Sequence, residues 1–293
     1  MTPAPTHSII ILTKDRPGLL PRAVASALAA MGEDGEILVV DDASVLPARE
    51  VLSGLYAAPL RILRRDVSCG ISAARNAGIE ASRGPVIFFL DDDDVLAPDY
   101  VRTILDGPAR AFDFGFAACA IAVDGGRPTP ERPRFPTGPI PDAAPLRKKL
   151  CGTGMGFWIR REVAVEAGPF ATDLPINEDT DYVCRLIARG RRAWYSASPG
   201  VTVHHHAGPR NLPNVTHRLS ASERARAMLL VCNRFPSMAS HLGRSFLRHC
   251  AKAGLHEEAI RYLHSLSDPR LRLSLSVYFR MKRLGYWLSG ASG

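Results

Sequence analysis

Phe88-Phe89-Leu90-Asp91-Asp92-Asp93-Asp94 is the stretch on which the fold turns: an apolar run that ends in four consecutive acids. Residues 85–90 follow a Gly84-Pro85 break and are too few for a core helix, so they predict a short buried strand. Two carboxylates about 5 Å apart repel by roughly 3 kcal/mol at an effective dielectric near 20, so an acidic strand exit demands a counter-charge. While the chain stays extended, Asp91 and Asp93 point to one side and Asp92 and Asp94 to the other. Parallel α/β sheets bind their ligands at the C-terminal ends of strands. A hard divalent cation carrying a phosphorylated ligand suits such a place, because Mg²⁺ takes one or two protein carboxylates and fills its shell with waters and phosphates. Taken alone, the run reads equally as an acidic surface turn.

Its neighbours favour the site. Residues 8–12 predict a strand, 19–28 a helix, 37–40 a second strand running into Asp41-Asp42, 47–55 a helix, 60–63 a third strand and 70–81 a helix. Strands and helices alternating at this rhythm imply βαβ units and a largely parallel sheet. Right-handed crossovers bring the strand ends to one edge, so Asp41-Asp42 and residues 91–94 line one crevice. Further on, 114–123 reads as a strand. Residues 124–146 form a Pro- and Gly-rich loop long enough to suggest a functional role. A Gly-rich turn, Gly152-Thr153-Gly154-Met155-Gly156, enters the apolar Phe157-Trp158-Ile159. Helices are expected at 161–167 and 179–188, and a last strand at 201–203 leads into His204-His205-His206. Beyond it, 219–235 and 245–266 carry helical spacing, whereas 271–277 alternates with period 2 and leaves helix and strand open.

The longest apolar runs fall far short of a membrane span, and Met1-Thr2-Pro3-Ala4-Pro5 lacks the basic start and apolar core of a signal peptide. Six scattered cysteines with no CxxC pair point to reduced thiols in a cytoplasmic protein. The formal net charge of +8 is unevenly spread. Residues 1–214 hold 24 Lys and Arg against 25 Asp and Glu, whereas residues 215–293 hold 13 against 4. Such asymmetry suggests a basic, mainly helical C-terminal region that meets an anionic surface, set against the plainer reading of a solvated helical face.

Five motifs, in order, make the chain resemble the family 2 glycosyltransferases of the GT-A fold over roughly residues 7–210. They are Ile9-Ile10-Ile11-Leu12-Thr13, Val39-Val40-Asp41-Asp42-Ala43-Ser44, Gly70-Ile71-Ser72-Ala73-Ala74-Arg75-Asn76-Ala77-Gly78-Ile79, Phe89-Leu90-Asp91-Asp92-Asp93-Asp94 and Glu178-Asp179-Thr180-Asp181-Tyr182 with Arg185. The resemblance implies an α/β catalytic domain at 1–214, its mostly parallel sheet flanked by helices, followed by the helical appendage at 215–293. It also implies inverting transfer of a sugar from a nucleotide diphosphate donor, most simply UDP-linked, to a hydroxyl of a saccharide or lipid-linked acceptor.

The residue roles come with it. Thr13 and Asp42, with Asp41 beside it, resemble the positions that hold the donor base, although Asp41 could equally cap the following turn. Asp91 and Asp93 resemble the DxD acids that bind Mn²⁺ or Mg²⁺, with Asp92 toward the ribose and Asp94 structural or exposed. The run of four leaves this register open by one residue. His204 and His206, on one face by alternation, are further metal candidates, and Arg75 and Asn76 either reach the diphosphate or cap their helix. Inversion needs a general base, and Asp179 at a helix start resembles it, against a plain N-cap. Arg185 is expected to pair with acids nearby, and Trp158 either stacks on an acceptor sugar or packs in the core. Two features depart from the family pattern: Ala43 stands where the turn usually carries Gly, and the loop at 124–146 matches no motif.

The rivals fit less well. A sugar nucleotidyltransferase would need a Gly-rich, basic loop after the first strand, and Thr13-Lys14-Asp15-Arg16-Pro17-Gly18 is not one. A non-catalytic sugar-nucleotide binder would have lost its base. A nucleic-acid partner explains the basic tail but not paired acids at strand ends. The tail's leucines and Trp287, interleaved with Arg272, Arg280, Lys282 and Arg283, suit a peripheral site on the inner membrane face. They suit packing on the catalytic domain or on a second subunit equally.

Overall fold

In the computed structural model, residues 4–55, 59–205 and 219–289 are described. They divide into two compact units, one comprising residues 1–172 with 182–208 and the other 173–181 with 209–293.

The first unit is a three-layer α/β structure. Its strands are β1 (His7–Thr13), β2 (Gly35–Asp41), β3 (Leu60–Arg64), β4 (Val86–Asp91), β5 (Val95–Leu96), β6 (Phe114–Val123), β7 (Thr129–Pro130), β8 (Gly138–Pro139), β9 (Trp158–Arg160) and β10 (Ala193–His205). They lie in the order β3-β2-β1-β4-β9-β6-β10-β5, with β7 on β6 and β8 on β10. The first three pairings are parallel, and β9 enters antiparallel between β4 and β6. In β1, Ile9 and Ile11 face one layer and Ile10 the other, all fully buried. That period of two explains why an unbroken apolar run is needed in a strand covered on both faces.

Helices α1 (Leu20–Met31), α2 (Ala48–Val51), α3 (Ile71–Ala81), α4 (Tyr100–Asp106), α5 (Pro108–Ala111), α6 (Leu146–Lys149) and α7 (Arg161–Ala167) belong to this unit. Pro in its first turn starts α1, and it stops at Gly32 with φ of +70°. On the opposite face α3 lies tight against β1, where a Cβ at Gly78 would sit 2.7 Å from Ile10 Cγ2. Asn76 on the same helix clamps the backbone of Phe170, donating to its carbonyl at 3.0 Å and accepting from its N–H at 2.7 Å. Asn76 therefore fixes α3 to the segment after α7. Trp158 is fully buried and packs in the core, so the alternative of a sugar platform is set aside.

β10 is far longer than the expected strand at 201–203. It runs alongside β6 from Ala193, with register shifts around Pro199. Ser196, Ser198, Pro199 and Gly200 interrupt the apolar pattern there, which hides the strand from periodicity.

The second unit is helical. It contains the start of α8 (Glu178–Ala188), then α9 (Ala221–Arg234), α10 (Ala239–Ala253), α11 (His256–Ser265) and α12 (Pro269–Leu288). A capping box opens α9, with Ser220 Oγ accepting from Glu223 N–H and Glu223 accepting from Ser220 N–H. The single helix expected over 245–266 is two, broken where Gly254 adopts the left-handed conformation. The ambiguous stretch at 271–277 is helical because Asp268 accepts from the N–H groups of Arg270 and Leu271 and Pro269 begins the first turn. Arg234 ties 173–181 into this unit, pairing with Asp173 at 2.6 Å and with buried Asp181 at 2.8 Å. Among the described residues no helix is long and apolar enough to cross a membrane.

Candidate active site

Three strand ends build the site. Thr13 ends β1, Asp41 lies opposite it on β2, and Leu12 lies opposite Asp91 on β4. Thr13 is thus flanked by both acid pairs, and its hydroxyl donates to Asp92 Oδ2 at 2.7 Å.

The extended alternation expected for 91–94 does not hold. β4 stops at Asp91, and the chain turns so that Asp94 N–H donates back to the Asp91 carbonyl at 3.1 Å. The turn returns Asp94 to the side of Asp91 and Asp93, and an oxygen from each of the three lies within 4.8 Å of the others. Of the two alternatives for Asp94, structural or exposed, the second falls away: it is buried, and it also accepts from His204 N–H at 3.0 Å. Burial pushes its carboxyl up to about 8, and the charges of Asp91 and Asp93 act in the same direction. Carboxylates crowded in this way fit a divalent cation.

Asp92 takes a different path. Thr13 holds one of its oxygens, and Arg16 binds the other at 2.9 Å while also reaching Asp93 at 2.8 Å. Burial pushes Asp92 up to about 6; Arg16 and the Thr13 hydroxyl oppose that shift, and Asp93 and Asp91 add to it. Burial also opposes the charge of Arg16, but Asp92 and Asp93 outweigh it and leave its pKa raised. Arg16 is a counter-charge that the protein supplies to the run, and Arg22 joins it by donating to the Asp93 carbonyl at 2.6 Å. A lone Arg in a loop carries no periodic signal, so sequence reading passed it over.

Across Thr13, the second acid pair splits by role. Asp41 is fully buried; it accepts from the N–H groups of Ser44 and Ala48, both at 2.9 Å, and from Arg64 at 2.7 Å. Its carboxylate thus builds the turn. Asp42 meets Ser68 Oγ at 2.6 Å, and Lys14 donates to the same hydroxyl at 2.8 Å. It also lies 3.3 Å from Arg65 and from the N–H of Gly70, just before α3. Directly after Asp42, Ala43 has φ of +61°, a conformation costing an L-residue about 1–2 kcal/mol. Ala43→Gly is expected to raise stability by about 0.5–1 kcal/mol after the added chain entropy is counted. Urea denaturation checks this; a lower midpoint refutes it.

The Gly-rich turn closes the other flank. A Cβ at Gly154 would lie 2.9 Å from Asp91 Oδ2, so backbone approaches the acid run where a side chain could not. Next to it, Thr153 accepts from Arg75 at 2.8 Å, and Arg75 is buried with its guanidinium 5.3 Å from the Phe170 ring centre.

His204, on β10, contributes its backbone to Asp94, and its ring is not one of the three clustered ligands; His206 lies outside the described residues. Arg185 donates to the carbonyls of Ala167 and Pro169, at 3.0 and 2.7 Å, after α7. Asp179 sits in the first turn of α8 within the second unit, and its Oδ1 accepts from Thr180 N–H at 2.6 Å.

The family model described as glycosyl transferase family 2 matches residues 8–167, more than half of the chain. The chain belongs to glycosyl transferase family 2. The match to family 2 contains Thr13, Asp42 and the whole acid run. Among curated proteins, an uncharacterized glycosyltransferase of Haemophilus influenzae is 28% identical over 184 residues, 61% of each chain. The succinoglycan biosynthesis protein ExoO of Rhizobium meliloti is 34% identical over 120 residues, 41% of this chain and 33% of that protein. The matches thus span less than two thirds of these relatives' own length. In structure, residues 1–349 of S. aureus TarS in complex with UDP-GlcNAc superpose with a TM-score of 0.73 at 14% identity, covering 97% of this chain and 92% of that one. At that identity the likeness is one of fold.

Proposed function

We propose that this chain is a metal-dependent, inverting glycosyltransferase that moves a sugar from a nucleotide diphosphate donor to a hydroxyl acceptor in glycan assembly. The close grouping of Asp91, Asp93 and Asp94 beside the Thr13–Asp92 bond is the observation that carries this reading. UDP is the first donor to try, since the TarS structure holds UDP-GlcNAc. A lipid-linked acceptor is the first to try on the other side. A Campylobacter jejuni relative named GalNAc(5)-diNAcBac-PP-undecaprenol beta-1,3-glucosyltransferase is 30% identical over 41% of this chain and 40% of its own length.

Thr13 and Asp42 bind the donor base, with Asp42 accepting from an imide N–H, while Asp92, oriented by Thr13 and Arg16, meets the ribose. Asp91 and Asp93, with Asp94 behind them, hold Mn²⁺ or Mg²⁺. When bound, that cation supplies Lewis-acid stabilisation of the leaving diphosphate. The acceptor oxygen bonds to the anomeric carbon from the face opposite the leaving group as the carbon–diphosphate bond breaks. Asp179 takes the acceptor's proton. The bond from Thr180 N–H fixes the orientation of its carboxylate, and the N-terminal end of α8 favours the ionised form.

A thermal-shift series with UDP, GDP and CDP, each with and without Mn²⁺, tests the donor site. Stabilisation by one nucleotide that requires Mn²⁺ is expected. If no nucleotide stabilises the protein in a metal-dependent way, the proposal fails.

A further inference from the structure

The last helix of the second unit carries two apolar faces, and only one of them is covered. Leu275 and Phe279 are buried against the rest of the unit. Leu273, Val277, Met281, Leu284, Trp287 and Leu288 are all exposed, Trp287 at 72% and Leu288 at 70%. At 3.6 residues per turn these six fall within an arc of roughly 120°, on the side of α12 away from Leu275 and Phe279. A stripe of that width is what a helix normally turns toward a core.

Charge identifies what would cover it. α12 holds Arg270, Arg272, Arg280, Lys282 and Arg283 and no acid at all. Arg280 and Arg283 line a cavity of about 400 Å³ together with His256, Leu284 and Trp287. Among the described residues, neither arginine has a carboxylate partner. One recess therefore combines cationic donors with the apolar edge of the stripe. A second copy seated on this face would bring like charges together. A phospholipid surface offers the complement: acyl chains for the stripe and phosphates for the guanidiniums.

We propose that the last turns of α12 form an interfacial anchor for an anionic bilayer. The apolar stripe lies at the acyl boundary and the Arg280–Arg283–His256 recess takes a lipid phosphate. The helix lies in the interface and does not span it, since no described helix is long and apolar enough to cross. The inference stands apart from the donor chemistry, so either can fail without the other.

Vesicle flotation with the full chain tests it, using phosphatidylcholine alone and phosphatidylcholine with one-third phosphatidylglycerol. At least about ten-fold stronger binding to the anionic vesicles is expected, weakening as salt is raised. Of the three tryptophans Trp287 is the exposed one, since Trp158 is fully buried and Trp194 is partly buried against Phe112; its emission should shift to the blue on binding. Arg280→Gln with Arg283→Gln should lose about five-fold per guanidinium, and Leu284→Asp with Trp287→Asp should abolish binding. All four side chains stand in solvent, so the melting temperature of each variant should match the parent and separates lost docking from lost folding. Equal binding to both vesicles, or none, overturns the proposal. So does full competition by inorganic phosphate, which would make the recess a free-anion site. Self-association abolished by Leu284→Asp would show that the stripe meets a second copy, and would overturn it as well.

Discussion

Asp179→Asn is expected to lower turnover by about 10³-fold while leaving metal-dependent nucleotide binding at the parental level. Asn keeps the shape of Asp and an oxygen that can accept the Thr180 N–H now bound at 2.6 Å, so the start of α8 is preserved. The variant loses the capacity to take a proton together with the negative charge. General-base catalysis is worth about 10²–10⁴-fold, which sets the magnitude. The charge removed from the helix start costs about 0.3–1 kcal/mol at most, and Glu178 and Asp181 remain in the same turn. Melting temperature and the Mn²⁺-dependent shift with UDP should therefore barely move. The acidic limb of the pH–rate profile should vanish with the base. Glu178→Gln is the control, with turnover expected within a few-fold of the parent. If Asp179→Asn keeps more than about a tenth of parental turnover, Asp179 is not the base.

How far the fold can be read in advance depends on which interactions are local. β1, β2 and β4 and the helices between them are legible because each of these strands holds an unbroken apolar run, and both faces of the sheet are covered. β10 is not, because its bulge at Pro199 and the polar residues around it erase the alternation. In the second unit, Leu271, Leu273, Leu275 and Val277 alternate in sequence like a strand. The Asp268 cap and Pro269 nevertheless make that segment helical, with Leu275 inward and Leu273 and Val277 outward. Local pattern and local capping disagreed there, and capping prevailed.

The site divides along the same line. Residue types at strand ends were readable: Thr13, Asp42 and residues 91–94 do gather at neighbouring strand ends. What the spacing could not express was the turn after Asp91. A strand's period of two ends with the strand, and the returning chain regroups Asp94 with Asp91 and Asp93 while Asp92 turns to Arg16. The φ of Ala43 shows the opposite situation. There a one-residue departure from the family pattern marked a backbone position that does take the left-handed conformation.

That regrouping sets the second large prediction. Asp91→Asn is expected to eliminate Mn²⁺-dependent stabilisation by UDP and to cut turnover by at least about 10²-fold, since a Lewis acid at a leaving group supplies several kcal/mol. Its effect on the metal-free protein should have the opposite sign. Asp91, Asp93 and Asp94 approach within 4.8 Å, and each pair at about 5 Å repels by roughly 3 kcal/mol before solvent screening. Neutralising Asp91 removes its repulsion of Asp93 and one of the charges that hold Asp94 up at about 8, against the loss of its attraction to Arg16, whose bonds to Asp92 and Asp93 are untouched. The melting temperature without metal should therefore stay level or rise. An acid kept only for the fold would behave otherwise, because its loss would lower the melting temperature and leave the metal response intact. The two measurements, taken on one variant, separate a cluster that waits for a cation from a turn that happens to be acidic.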